Sequence, residues 1–217
     1  MSDGCPMSEV ILYDYWRSSA SYRVRIALNL AGIAYRSVPV DLLKKVHKSP
    51  EHLRRNPQGL VPALEIDGVL FTQSLAIIEY LAETRGLPSI LPADPMNRAK
   101  VRALAYAIAM DIHPICNSGV VAHVMEITGK GEEARTDWMR KFIGEGLAAV
   151  EAMLQENQGP LCFSPSPTLA DICLVPQVYN ARRWGVNMMH FSRINGICEK
   201  LEQIDAFAKA SPEQVKP

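Results

Sequence analysis

Ser18 stands where a short apolar and aromatic run, Val10–Tyr15, hands over to a segment with helical spacing. A helix N-terminus presents unpaired N–H groups and the positive end of a dipole, so a thiolate placed there is favoured. A free thiol has a reference pKa of about 8.5, and each unit of depression corresponds to about 1.4 kcal/mol. The Ser18 hydroxyl could donate one further hydrogen bond to such a sulfur. Gln73 and Ser74 open a second helix, whose N-terminus suits a carboxylate. Between them, Val61-Pro62 precedes a strand, a place where the missing donor of proline breaks no ladder bond. Arg17, Arg182 and Arg183 are guanidinium groups able to hold carboxylates bidentately. Each also has a plainer reading: Ser18 and Ser74 as helix caps, Arg182 and Arg183 as a solvated pair, and His113, next to Pro114, as a packing residue.

The elements that must position these groups follow from the pattern. Val24, Ala27, Leu28 and Ala31 recur at helical spacing until Gly32 closes the segment, and a strand over Tyr35–Val40 completes a βαβ unit. A short helix at about Pro50–Arg55 leads to Asn56-Pro57-Gln58-Gly59-Leu60-Val61-Pro62. A hairpin follows, Ala63–Ile66 and Val69–Thr72 around Asp67-Gly68. Ser74 is expected to cap a helix with the inward stripe Leu75, Ile78, Leu81 and Ala82, ending at Gly86. The order βαβαββα is the layout of a thioredoxin-like domain.

Leu87–Pro95 reads as a proline-rich linker. Beyond it the periodicity predicts helices over about 96–125, 133–157, 168–184 and 191–208, with Thr168–Asp171 as a capping box. Ser211–Pro217 reads as a frayed tail. The expected fold class is therefore α/β plus all-α: a thioredoxin-like domain at 9–86, a linker at 87–95 and an all-helical domain at 96–210.

The bulk composition narrows the partners. Lys plus Arg equals Asp plus Glu, 23 against 23, so no net field draws the chain to nucleic acid or an anionic membrane. Any anionic ligand must be held by locally placed groups. No run of about 18 uncharged apolar residues occurs, and the first ten residues carry no signal-like stretch, which makes a cytoplasmic location the expectation. The five cysteines include no Cys-x-x-Cys pair, so no metal site is expected and the thiols read as reduced packing residues.

At this point the motifs resemble a known family. The βαβαββα half, Val61-Pro62, Gln73-Ser74 and the capping box of the helical half look like glutathione transferases. More narrowly, Arg17-Ser18-Ser19-Ala20-Ser21-Tyr22-Arg23-Val24-Arg25-Ile26-Ala27-Leu28 is similar to the zeta-class signature. So are Asn56-Pro57-Gln58, the run from Gln73-Ser74 through Tyr80-Leu81, and Leu174-Val175-Pro176-Gln177-Val178. That class includes maleylacetoacetate and maleylpyruvate isomerases, and the resemblance covers about residues 9–210.

The resemblance implies glutathione as cofactor, a cis bond at Val61-Pro62 and a homodimer. It implies Ser18, with Ser19 and Arg17, as the catalytic group. It implies Val61, Pro62, Gln73, Ser74, His47, His113 and Asn117 as glutathione contacts, Asn117 lying one turn after His113 on the same helical side. Arg17, with Arg183 or its neighbour Arg182, would bind a dicarboxylate substrate. The implied reaction is cis–trans isomerisation of maleylacetoacetate or maleylpyruvate by reversible thiolate addition. The alternatives are a general glutathione S-transferase acting on α-halo acids or other electrophiles, and a non-catalytic binding module. His47 replaces a glutamine common in the class, Ala20 a cysteine and Tyr22 a tryptophan or histidine. Loss of the cysteine disfavours chemistry that needs a protein thiol and leaves isomerisation intact. Ser118-Gly119 lacks an arginine that some maleylpyruvate isomerases supply.

Overall fold

The computed structural model describes residues 9–87, 90–157 and 159–217. The chain divides into two compact units, Met1–Pro88 with Asp205–Pro217, and Ser89–Ile204. Two residues of the expected linker, 88 and 89, lie outside the described residues.

The first unit is built on a four-stranded sheet in the order β2-β1-β3-β4. Its strands are β1 (Ile11–Asp14), β2 (Arg36–Pro39), β3 (Ala63–Ile66) and β4 (Val69–Thr72), with β1 parallel to β2 and antiparallel to β3. Asp67 and Gly68 turn the β3–β4 hairpin with φ of 55° and 74°, the doubly left-handed geometry that matches strand twist and that Asp-Gly predicts. The helices are α1 (Ser19–Leu30), α2 (Pro50–Arg55) and α3 (Ser74–Thr84). Helix α1 is buried from Ser19 to Leu28, polar residues included, because it packs on α3 and the C-terminal segment.

The cap of α3 departs from expectation. Gln73 is the N-cap, with φ 68° and ψ 111°, and Ser74 is already helical and buried. The chain needs a left-handed residue to turn from β4 into α3, so the boundary falls one residue earlier than the serine suggests.

The second unit holds α4 (Pro95–Tyr106), a π-helical segment at Ala107–Ile112, α5 (His113–Ile115), α6 (Ser118–Thr128), α7 (Glu132–Gln155), α8 (Leu169–Arg183) and α9 (Ser192–Leu201). The single helix expected over 96–125 is thus interrupted. Pro114 removes a backbone donor and crowds the carbonyl one turn back, and the widened π turn sits just before it. Asn117 is extended and caps α6 by accepting from the Gly119 N–H at 2.9 Å, so it does not continue the helix of His113. Gly146 of α7 leaves no room for a Cβ against Ile112, which lets the two segments approach closely.

The capping box of α8 is present: Asp171 Oδ2 accepts from the Thr168 N–H at 2.8 Å and from its hydroxyl at 2.6 Å. The helix expected over 191–208 is two, α9 and α10 (Asp205–Ala208), and the second belongs to the first unit. The expected frayed tail carries α11 (Pro212–Val215), with Pro212 buried. Three donors spaced along α1 hold this segment by its carbonyls: Tyr22 Oη to Phe207 at 3.3 Å, Arg25 Nε to Ala210 at 2.9 Å and Asn29 Nδ2 to Ala206 at 3.0 Å. Among the described residues no helix is long and apolar enough to cross a membrane.

Candidate functional site

The strand register brings the loops of interest to one end of the sheet. Tyr13 on β1 pairs with Val38 of β2 and with Ala63 of β3, and Ala63 pairs in turn with Thr72 of β4. The β1–α1 turn with Arg17 and Ser18 leaves from this end, as do the β2–α2 loop with His47 and the β4–α3 turn with Gln73 and Ser74. Val61-Pro62 enters β3 there, and its peptide bond is cis. The N-termini of α1 and α3 both start at this end, so two positive helix ends serve one face.

Ser18 is half-buried at the N-cap of α1 (φ −69°, ψ 121°). Its Oγ accepts from the Ser21 N–H at 3.2 Å, which uses a lone pair and leaves the hydroxyl hydrogen for an acceptor in front of the helix. The capping and donor roles are therefore compatible. Ser19 is buried inside the first turn. Arg17 stacks on Trp16, its guanidinium carbon 4.4 Å from the ring centroid, and Nη2 reaches Tyr15 Oη at 3.4 Å. Its shielded Nε carries no hydrogen bond in the protein.

His47 lies in a 3₁₀ turn, Val46–Lys48, with Nδ1 shielded and unpaired. Burial first, then Lys48, His52 and Lys45, lowers its pKa from the ordinary histidine value. Gly59, at φ 62°, lies so close to His47 O and the Lys48 side chain that a Cβ would collide, which lets the loop before Val61 pack on this turn. Gln73 is exposed and donates through Nε2 to Gln58 Oε1 at 2.7 Å. Ser74 Oγ accepts from Arg23 Nη1 at 3.4 Å.

The helical unit holds the other candidates. His113 opens α5 and Asn117 caps α6. Arg182 and Arg183 are both exposed at the end of α8. Arg182 Nη1 bonds Glu202 Oε1 at 2.7 Å, whereas the Arg183 guanidinium carbon lies 4.8 Å from the Trp184 ring centroid.

Several positioning groups escaped the sequence. His52 is fully buried, and its Nε2 meets Leu60 O at 2.8 Å. Asn56 Nδ2 donates to the same carbonyl at 3.0 Å. The residue before Val61 is therefore clamped from two sides. Arg23 and Arg25 are both fully buried, although the motif alone reads as a helix with charged positions. A signal was available: two arginines at i and i+2 of a helix cannot share one solvent face. Beside the β1–α1 turn a cavity of about 310 Å³ is walled by Trp16, Pro39, Asp41, Val215 and Pro217. Asp14, matched by Arg25, and Asp41 line it, with no cationic side chain among the lining residues, which does not suit a dicarboxylate.

A thioredoxin-like unit with two helix N-termini beside a cis-proline strand entry, followed by helices, defines a glutathione transferase. Residues 8–83 match the family described as Glutathione S-transferase, N-terminal domain. The chain is 64% identical to maleylacetoacetate isomerase of Rhizobium meliloti (strain 1021) over 97% of its own length and 99% of that protein's. The holo structure of maleylpyruvate isomerase, a bacterial zeta-class glutathione S-transferase, superposes with a TM-score of 0.92 at 40% identity, covering 95% of this chain and 98% of that one. Maleylacetoacetate isomerase of Methylobacterium extorquens AM1, solved with malonate and glutathione bound, gives 0.91 at 38% identity, over 95% and 98% of the two chains. The chain belongs to the zeta-class glutathione transferases, the family of the maleylacetoacetate isomerases.

Proposed function

We propose that the chain is a glutathione-dependent cis–trans isomerase of a maleyl-type diacid, maleylacetoacetate or maleylpyruvate, acting in the cytoplasm as a homodimer. The observation that carries the reading is the register that gathers Ser18, His47, Val61-Pro62 and Gln73-Ser74 at one end of the sheet. The unpaired Arg17 Nε and His47 Nδ1 fit a ligand carrying carboxylates and an anionic sulfur.

Bound glutathione supplies the sulfur nucleophile that adds to the cis double bond and departs, unconsumed, after rotation about the former double bond. Ser18 donates to the sulfur, and the α1 N-terminus favours its ionised form. Gln73 and the start of α3 hold the γ-glutamyl carboxylate, and His47 meets the glycyl end. Val61 offers backbone groups to the cysteinyl unit, beside Pro62. Arg17 stabilises the negative charge that develops on the substrate's carbonyl oxygens more strongly than the ground state. His113 and Asn117 are assigned further glutathione contacts by the family likeness, with Ser19 beside Ser18. Arg183 is assigned a substrate carboxylate.

The test is turnover of maleylacetoacetate and maleylpyruvate with and without glutathione. At least one diacid should isomerise with glutathione recovered intact. Arg183→Met should raise KM for that diacid and leave conjugation of a neutral chlorodinitrobenzene unchanged, with Arg182→Met like wild type. Conjugation without isomerisation would replace this reading with a general transferase.

A further inference from the structure

The β1–α1 turn carries Arg17 and Ser18, and its own backbone bonding is slight. Ser18 N–H donates to Tyr15 O at 2.8 Å, which closes the turn but leaves the Trp16 carbonyl to be satisfied elsewhere. Arg25, two turns into α1, supplies the donor: Nη2 bonds Trp16 O at 2.9 Å. The same guanidinium bonds both Asp14 oxygens through Nη1, at 2.9 and 2.8 Å, and Ala210 O through Nε at 2.9 Å. Arg25 is 0% exposed and Asp14 3%.

The geometry points to Arg25 as a positioning residue for the reaction: its planar fork sets the Trp16–Arg17 peptide, and through it the Ser18 hydroxyl and the Arg17 side chain. The inference rests on the proposed role of Ser18. Asp14 ends β1, Trp16 precedes Arg17, and Ala210 belongs to the C-terminal segment, so one rigid group ties the reactive turn to two fixed bodies. Only a guanidinium presents donors along three directions in one plane. An ammonium at the same place is a point charge that can keep Asp14 and release the two carbonyls. A loosened turn leaves the hydroxyl off the line to the sulfur. Misplacement of about 1 Å can cost on the order of a hundredfold in rate.

Arg25→Lys separates this role from a purely structural one. Ultraviolet titration of bound glutathione should show the thiol pKa raised by about one unit. The kcat should fall about tenfold or more, with the KM for glutathione changed less than threefold, because Gln73 and His47 are untouched. In the ligand-free protein, amide hydrogen exchange at Arg17 and Ser18 should accelerate more than at Ile77 and Ile78 of α3. Lowered stability with unchanged thiol pKa and unchanged local exchange would overturn the inference, since that is a core ion pair and nothing more. Should Arg25→Lys not fold, Asp14→Asn frees the fork from its anchor while keeping the guanidinium. Because loss of the carboxylate itself pulls the thiol pKa down, local exchange is the readout for that variant: faster exchange at Ser18 than at Ile77 and Ile78 is expected, and unchanged local exchange overturns it. The wild-type titration stands apart from these outcomes. A bound thiol with an ordinary pKa there would remove the reading of Ser18 itself.

Discussion

At the scale of single residues, Ser18 does two things that can be measured apart. As the N-cap it satisfies the Ser21 N–H, so Ser18→Ala should cost about 1 kcal/mol of stability in denaturant titration. As the donor to sulfur its loss removes a hydrogen bond to a charged group, worth about 1.5–3 kcal/mol. The bound thiol pKa should therefore rise by about one to two units and turnover fall far more than glutathione affinity. A mutant that loses only stability would reduce Ser18 to a cap. His47 offers a pH test. Its lowered pKa, caused first by burial and then by Lys48, means the neutral ring dominates at pH 7 and meets a carboxylate as a hydrogen-bond donor. A bound carboxylate favours the protonated ring, so affinity should increase as pH falls from 7 toward 5.5. S-methylglutathione, which has no ionisable thiol, isolates this effect in calorimetry. His47→Gln should abolish the pH dependence while changing the affinity at pH 7.5 only slightly.

At the scale of elements, the helical unit depends on buried carboxylates that finish helix ends. Asp171, 0% exposed, serves the capping box and also accepts from the Cys162 N–H at 3.0 Å, so it fixes the loop before α8 as well as the helix. Glu151 of α7 reaches across to α9 and accepts from the Arg193 and Ile194 N–H groups, both at 2.9 Å. That end has no side-chain cap of its own, because its N-cap is Phe191. Glu151→Ala strands two donors and should destabilise by about 1–3 kcal/mol, with Glu151→Gln milder because it keeps an acceptor. Urea titration checks both, and equal losses would mean that the negative charge matters more than the acceptor. The Asp171 box was legible because its partners lie three residues apart. The Glu151 cap was not, because its partners are 42 and 43 residues away.

At the scale of the whole molecule, the C-terminal segment is part of the first unit's core. Phe207 is 0% exposed, and its carbonyl receives the Tyr22 hydroxyl. Phe207→Ala should cost about 3–5 kcal/mol, the range for a large buried aromatic. Hydrogen exchange should register the loss in α1, to which the segment is latched. An unchanged α1 would mean that the segment only lies against the first unit and does not stabilise it.

Local grammar is what the residues carried without help. Strands, hairpin, α1, α2, α7 and α8 could be placed from periodicity, caps and Asp67-Gly68, because each signal spans only a few residues. The motifs around Ser18, Val61-Pro62 and Gln73-Ser74 were legible for the same reason. Long-range packing settled the remainder. The Arg25 fork joins groups 185 residues apart, and no periodicity reports such a bond. The break at Asn117, the left-handed Gln73 and the return of Asp205–Pro217 to the first unit arose where tertiary packing overrode helical pattern.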